Sequence, residues 1–185
     1  MRLSEKELVG RGARISKLLR PISLRETGPA WSRLARGGTQ IIIGTHDEAR
    51  PSSDYRDWRF SINARGFVAM YFELWTLESR DRFILEKAYL NLYRWNGSSE
   101  KEIVCLHCDP SLSADADHAK YKRGPHLHMA VAGYPYDRAH IALQGPDLTP
   151  VLKSTETLHD ALAWGIEMIR DEMIGLMQTM APTEE

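Results

Sequence analysis

The stretch from residue 67 to residue 108 constrains the fold more than any other part of the chain. Residues 67–76 (FVAMYFELWT) are apolar at nearly every position, the pattern of a central strand covered on both faces. Residues 83–95 then alternate polar and apolar and stop at Asn96-Gly97, the strongest short-range hairpin signal, and residues 102–108 (EIVCLHC) follow as the returning strand. A chain with this centre builds an antiparallel sheet.

The flanks extend that sheet and then leave it. Residues 40–44 (QIIIG) read as a short strand, and 46–57 as a polar loop around Pro51. Trp58, Phe60 and Ile62 alternate with polar residues as a half-buried strand, while 125–132 and 139–143 supply later strands. At the N-terminus, Ser4 and Glu7 have capping-box spacing. Leu8, Ile15, Leu18 and Leu19 then recur near helical period until Pro21, giving a helix over 5–19. Residues 27–35 read as a second short helix, with Pro29 in its first turn and Gly37-Gly38 ending it. After Pro150, Leu158, Leu162, Ile169, Met173, Leu176 and Met180 line one face of a long helix over 156–179. Methionines on that face (Met168, Met173, Met177, Met180) read as adaptable core packing rather than as a ligand groove.

The expected fold is α+β, an antiparallel β-meander of about five to six strands flanked by an N-terminal helical segment and a long C-terminal helix. At 185 residues, 43% hydrophobic and 26% charged, the chain has the size and composition of one packed domain over 1–185. Within it 1–38 is a basic helical segment, 39–143 is the sheet with a loop at 109–124, and 154–180 is the C-terminal helix.

Net charge is -1, so the whole molecule has no polyanion-binding signature. Residues 1–38 nonetheless carry nine cations against three anions, and 147–185 eight anions against two cations. Two readings follow: the basic segment meets nucleic acid or an acidic partner, or the two ends complement each other. No apolar run is long enough for a membrane span and no apolar signal core opens the chain, so a cytoplasmic protein without membrane contact is expected. Two closely spaced cysteines agree with a reducing compartment.

The chemistry concentrates on one strand. In residues 126–132, Leu127, Met129 and Val131 share one face and His126, His128 and Ala130 the other, and the apolar set must be the core side. The same phase applied to 102–108 puts Cys105 and His107 with the histidine pair, and applied to 83–95 adds Lys87, Tyr89, Asn91 and Tyr93. Histidines at i and i+2 lie about 6.5 to 7 Å apart, close enough to ligate one divalent metal ion, zinc or manganese, or to act as acid and base on one phosphate. His126, His128 and His107 are therefore the candidate catalytic residues, with His126 and His128 the metal ligands. Arg123, Lys122 and Lys87 are candidates to hold anionic substrate, and Tyr89 and Tyr93 to stack on a base. The competing reading is a set of solvent-facing histidines on a half-exposed sheet.

Cys105-x-x-Cys108 does not join that site as a pair, because thiols three apart on a straight strand point to opposite faces. Gly-rich phosphate loops, serine elbows and helical H-E-x-x-H are absent. Gly124-Pro125-His126-Leu127-His128 resembles the G-P-H-L-H segment of M23-type zinc endopeptidases, but the H-x-x-x-D that completes that family's metal site does not occur.

A broader layout covers residues 67–179: paired strands ending in the Tyr-rich segment Tyr89 to Trp95, an Asp109-Pro110 loop, a Pro-His-x-His strand and a closing amphipathic helix. It resembles the TumE-like toxins of bacterial toxin–antitoxin modules. The resemblance implies an intracellular toxin, with His126 and His128 matching that family's P-H-H-x-H stretch, here one histidine shorter. The expected function is a small hydrolase or nuclease-type effector at a phosphodiester, its nucleic acid held by Arg123, Lys122 and the basic N-terminal helix. The alternative is a non-catalytic adaptor binding a partner protein from a neighbouring gene. A meander followed by a helix also resembles the ubiquitin-conjugating fold, whose expected cysteine is missing.

Overall fold

The computed structural model describes residues 2–25, 29–34, 39–48, 52–95, 97–110, 123–129, 139–145 and 147–175. They form an α+β fold in which one antiparallel sheet carries helices on one face. In chain order the elements are β1 (Arg2–Leu3), α1 (Glu5–Leu19), β2 (Pro29–Leu34), β3 (Gln40–Thr45), β4 (Phe60–Ser61), β5 (Phe67–Ser79), β6 (Arg82–Trp95), β7 (Glu100–Cys108), β8 (His126–Met129), β9 (Ala139–Ala142) and α2 (Thr155–Met168).

The lateral order is β2-β3-β5-β6-β7-β8-β9. Two-residue strands extend it: β4 pairs with β5 beyond the end of β3, and β1 pairs with β6 beyond the end of β7. Among the described residues the sheet has nine strands, larger than the five to six expected. Part of the difference is β2, read from sequence as a helix. Strand β3 is buried from Ile41 to Thr45 around an Ile41–Ile43 core, and its outer row of backbone groups needs a partner; β2 supplies it from Pro29↔Thr45 to Leu34↔Gln40. Pro29 stands at the first position of an edge strand, where a missing N–H costs the ladder nothing. The strand expected around Trp58 shrinks to Phe60–Ser61. A 3₁₀ turn at Tyr55–Asp57, capped by Asp54, leads into it.

Helix α1 begins at the Ser4–Glu7 capping box, with the Ser4 N–H donating to Glu7 Oε2 at 2.7 Å. The hairpin joining β6 to β7 turns at Gly97, whose φ of 90° is open to glycine alone at little cost; Asn96 lies outside the described residues. Helix α2 starts at a second box formed by Ser154 and Thr157. A π-turn over Ile169–Ile174 continues it, and the extra residue per turn rotates the buried face. Ile174 is therefore buried beside Met173, which packs half-buried against the same core as the sequence pattern expects, while Leu176 and Met180 lie outside the described residues.

Both faces of the sheet are packed. On the helix side, Ile15 and Leu19 of α1 and Ile166 of α2 meet Leu90, Leu92, Leu106 and Leu127. Gly165 lets α2 approach β7 so closely that a Cβ there would stand 3.0 Å from the Leu106 side chain. On the opposite side, Trp58, Met70, Phe72 and Leu74 form a smaller cluster, flanked by Tyr55, Tyr89 and Tyr93.

The continuous run of β5 hides one ionic feature. Glu73 is completely buried on the helix side, and Arg11 of α1, 2% exposed, reaches down to it. Arg11 donates Nη2 to Glu73 Oε1 at 2.6 Å, while Tyr71 Oη and Trp75 Nε1 donate to the two carboxylate oxygens at 2.8 and 2.9 Å. Burial alone would raise the Glu73 carboxyl; Arg11 and the two aromatic donors reverse that and hold it below its ordinary value. One of the nine N-terminal cations is thus an internal structural charge.

Candidate metal centre

Register and alternation bring the site together. His107 of β7 lies directly opposite His126 of β8, and Cys105 opposite His128; across the other edge of β7, Tyr89 faces His107 and Asn91 faces Cys105. Because directly paired residues share a face, all six project away from the helices, beside the aromatic cluster of Phe72 and Tyr55. A ladder of rings crosses the sheet: Tyr55–Phe72, Phe72–Tyr89, Tyr89–His107 and His107–His126 have centroid separations of 4.7, 5.1, 3.7 and 5.0 Å.

The three imidazoles converge. His128 Nε2 lies 2.9 Å from His126 Nε2 and 3.2 Å from His107 Nδ1. One ring nitrogen from each histidine falls within 4.8 Å of the other two. The outer nitrogens explain the orientation. His126 Nδ1 is 2.9 Å from the Gly124 carbonyl, which only an N–H can satisfy, so its Nε2 carries a lone pair inward. His107 Nε2 lies 3.1 Å from Asp109 Oδ2; this contact is an ion-pair approach more than an aligned hydrogen bond, yet the carboxylate favours the proton on that side and leaves Nδ1 bare. Two bare nitrogens therefore face His128 Nε2, and the space between them accommodates a hydrogen-bond donor, the His128 N–H, or a cation. Nitrogens around tetrahedral zinc at ~2.0–2.1 Å stand about 3.3 Å apart, close to the two separations made by His128, while the set as a whole lies within 4.8 Å.

Asp109, 3% exposed, is the part of this site that the sequence reading passed over. It receives Tyr89 Oη on Oδ1 at 3.2 Å and faces His107 with Oδ2, the carboxylate–histidine arrangement that fixes a ligand's tautomer and ring angle in metal sites. Burial first, and then Asp109, push the Tyr89 hydroxyl well above its ordinary range, so it stays a donor. Its only sequence signal is position, at the end of a strand two residues beyond His107. Asn91 is 5% exposed and gives Nδ2 to Glu102 at 2.7 Å, which leaves its buried Oδ1 without a partner.

The expected surroundings change in two ways. The histidines do not lie on an open surface: His126 is fully buried and His128 is 8% exposed. The basic helix does not face them, since Ile15 and Leu19 of α1 pack against the opposite side of the sheet. As strand alternation predicts, the thiols separate, Cys105 standing on the histidine face and Cys108 in the core with Leu85 and Leu158. Of the substrate-binding candidates, Lys87 places Nζ 5.6 Å from the Tyr89 ring centroid. Tyr93 lies under Arg59, 4.6 Å from its ring, and burial pushes its hydroxyl up to about 12. Arg123 is exposed next to Gly124, and Lys122 lies outside the described residues, as do Ala130 and Val131.

No helix among the described residues is long and apolar enough to cross a membrane. Compared with protein-family models, with curated proteins and with solved structures, the chain matches none.

Proposed function

We propose that His107, His126 and His128 hold one zinc-class ion and that the chain is a metal-dependent hydrolase acting at phosphodiesters, a nuclease-type effector. The observation that carries this reading is the commitment of the outer nitrogens of His126 and His107 to Gly124 and Asp109, which turns their lone pairs toward His128. Polar partners on the far side of a ligand imidazole are the usual support of a metal site. Three neutral imidazoles favour zinc over manganese, whose preference is for oxygen donors. Three histidines with an open position supply, when the ion is bound, an activated water near neutral pH. Lys87 and Arg123 offer positive charge to an anionic substrate, Tyr89 and Tyr93 offer ring surface, and Asn91 Oδ1 offers a buried acceptor.

Metal analysis of protein purified without chelator, followed by assays on RNA, single-stranded DNA and a chromogenic phosphodiester, tests the reading. About one zinc-class ion per chain is expected, with phosphodiester cleavage that His126→Ala and His128→Ala abolish. A metal-free protein with no hydrolysis after zinc addition sinks it. The adaptor reading draws on Trp164, 50% exposed on the acidic helix α2. Stoichiometric complex formation that Trp164→Ala abolishes and the histidine variants leave intact would favour it.

A further inference from the structure

Cys105 and His107 on β7 stand opposite His128 and His126 on β8, so four residues of metal-ligating type form a two-by-two block on one face of the sheet. Three have converged. The fourth, Cys105, is 3% exposed and unbridged, and its Sγ is turned toward the Leu106 carbonyl at 3.6 Å. Cys108 cannot take its place, because it lies in the core on the far side, 3.4 Å from the Arg123 carbonyl.

The arms of the block differ in length. His126 and His128 present Nε2, the far nitrogen, and so reach across from β8 toward β7. His107 presents Nδ1, the near nitrogen, which holds the meeting point low over its own strand. With bonds of about 2.0–2.1 Å to nitrogen and about 2.3 Å to sulfur, the short arms of His107 and Cys105 each extend roughly half the ~6.5–7 Å between alternate residues of a strand. Their reaches meet between the two residues, on the side where the Nε2 atoms of His126 and His128 arrive. Sγ stands outside the three-nitrogen group as the chain is folded here, and rotation about the Cys105 Cα–Cβ bond is the change that would bring it in; rotamer exchange of this kind is small against a metal–thiolate bond.

We propose that Cys105 is a fourth donor, completing a His3Cys set for a borderline-soft ion such as zinc or cobalt. This rests on the reading that the triad holds a metal and adds the coordination state. When Cys105 gives its proton to solvent and binds as the thiolate, the position that a water would use is filled; with the thiol turned to Leu106, it is open. Cys105 is then the residue that closes or opens the centre, and a thiolate donor sharpens the preference for zinc and cobalt over magnesium, calcium and manganese.

Cobalt(II) substitution of the full chain separates the possibilities. Wild-type protein with one equivalent of cobalt is expected to show an intense near-ultraviolet thiolate-to-cobalt charge-transfer band along with tetrahedral d–d bands. Cys105→Ser should lose the charge-transfer band, keep a cobalt spectrum from three imidazoles, and bind zinc at least tenfold more weakly in chelator competition. Cys105→Ala, which adds no oxygen donor, serves as a second variant, with circular dichroism confirming the fold of both. A wild-type spectrum without the charge-transfer band, unchanged in both variants, overturns the role of Cys105 while leaving the three-histidine centre standing. Absence of stoichiometric cobalt from wild type and variants alike overturns both.

Discussion

Asp109 Oδ2 lies 3.1 Å from His107 Nε2, on the side of the ring facing away from the other two histidines. A carboxylate in that place raises the basicity of the inner nitrogen and fixes the ring plane. Asp109→Ala should therefore weaken zinc binding about 10- to 100-fold while the protein stays folded. Competitive titration against a chromophoric chelator measures this, and unchanged affinity would mean that the carboxylate serves only Tyr89.

His126 sits between two constraints, the Gly124 carbonyl behind and His128 in front. A ligand that binds only the folded state stabilises it by RT ln(1 + [L]/Kd), about 2.7 kcal/mol at a free concentration of one hundred times Kd. For a chain of this length that corresponds to a rise in Tm of about 5–10 °C. Thermal melts with and without zinc should show such a rise in wild type and lose it in His126→Ala and His128→Ala. Equal rises in all three would place the zinc elsewhere.

The histidine face was legible because strand alternation is local. With Leu127 and Met129 facing inward, His126 and His128 share the other side, and Leu106 carries the same phase to His107. Three features were not legible, and each depends on partners outside its own segment. Strand β2 exists because β3 has an edge to cover, a demand that residues 29–34 do not reveal by themselves. The burial of the imidazoles depends on packing across the sheet, which alternation does not report. Glu73 is a lone charge in an apolar run, and its reason is Arg11, sixty-two residues earlier.

The Arg11–Glu73 pair makes a sharp stability prediction. Both charges are removed from water, so deleting either one leaves the other uncompensated. Glu73→Gln or Arg11→Met should each cost about 3–5 kcal/mol in urea denaturation, and the double variant should cost clearly less than the sum. Additive losses of under about 1 kcal/mol, the range of a surface pair, would contradict the buried network.

His159 of α2 accepts from Arg11 Nη1 at 2.8 Å on Nδ1, which requires a neutral ring. Burial first, and then Arg11 and Arg14, lower it from 6.5 to about 4. The unfolded chain therefore takes up this proton before the folded one does. The contribution to stability is complete above about pH 6.5, falls away between about 6.5 and 4, and is gone below that window. Because the ring is partly open to solvent, the loss is about 1–2 kcal/mol rather than the full value of the shift. Carboxylates titrate in the same window, so the informative quantity is the difference between wild type and His159→Gln, whose side chain can still accept from Arg11 but does not titrate. The stability advantage of wild type over the variant should shrink by that amount as pH falls from 6.5 to 4, and parallel curves would show that His159 does not sense the buried guanidinium.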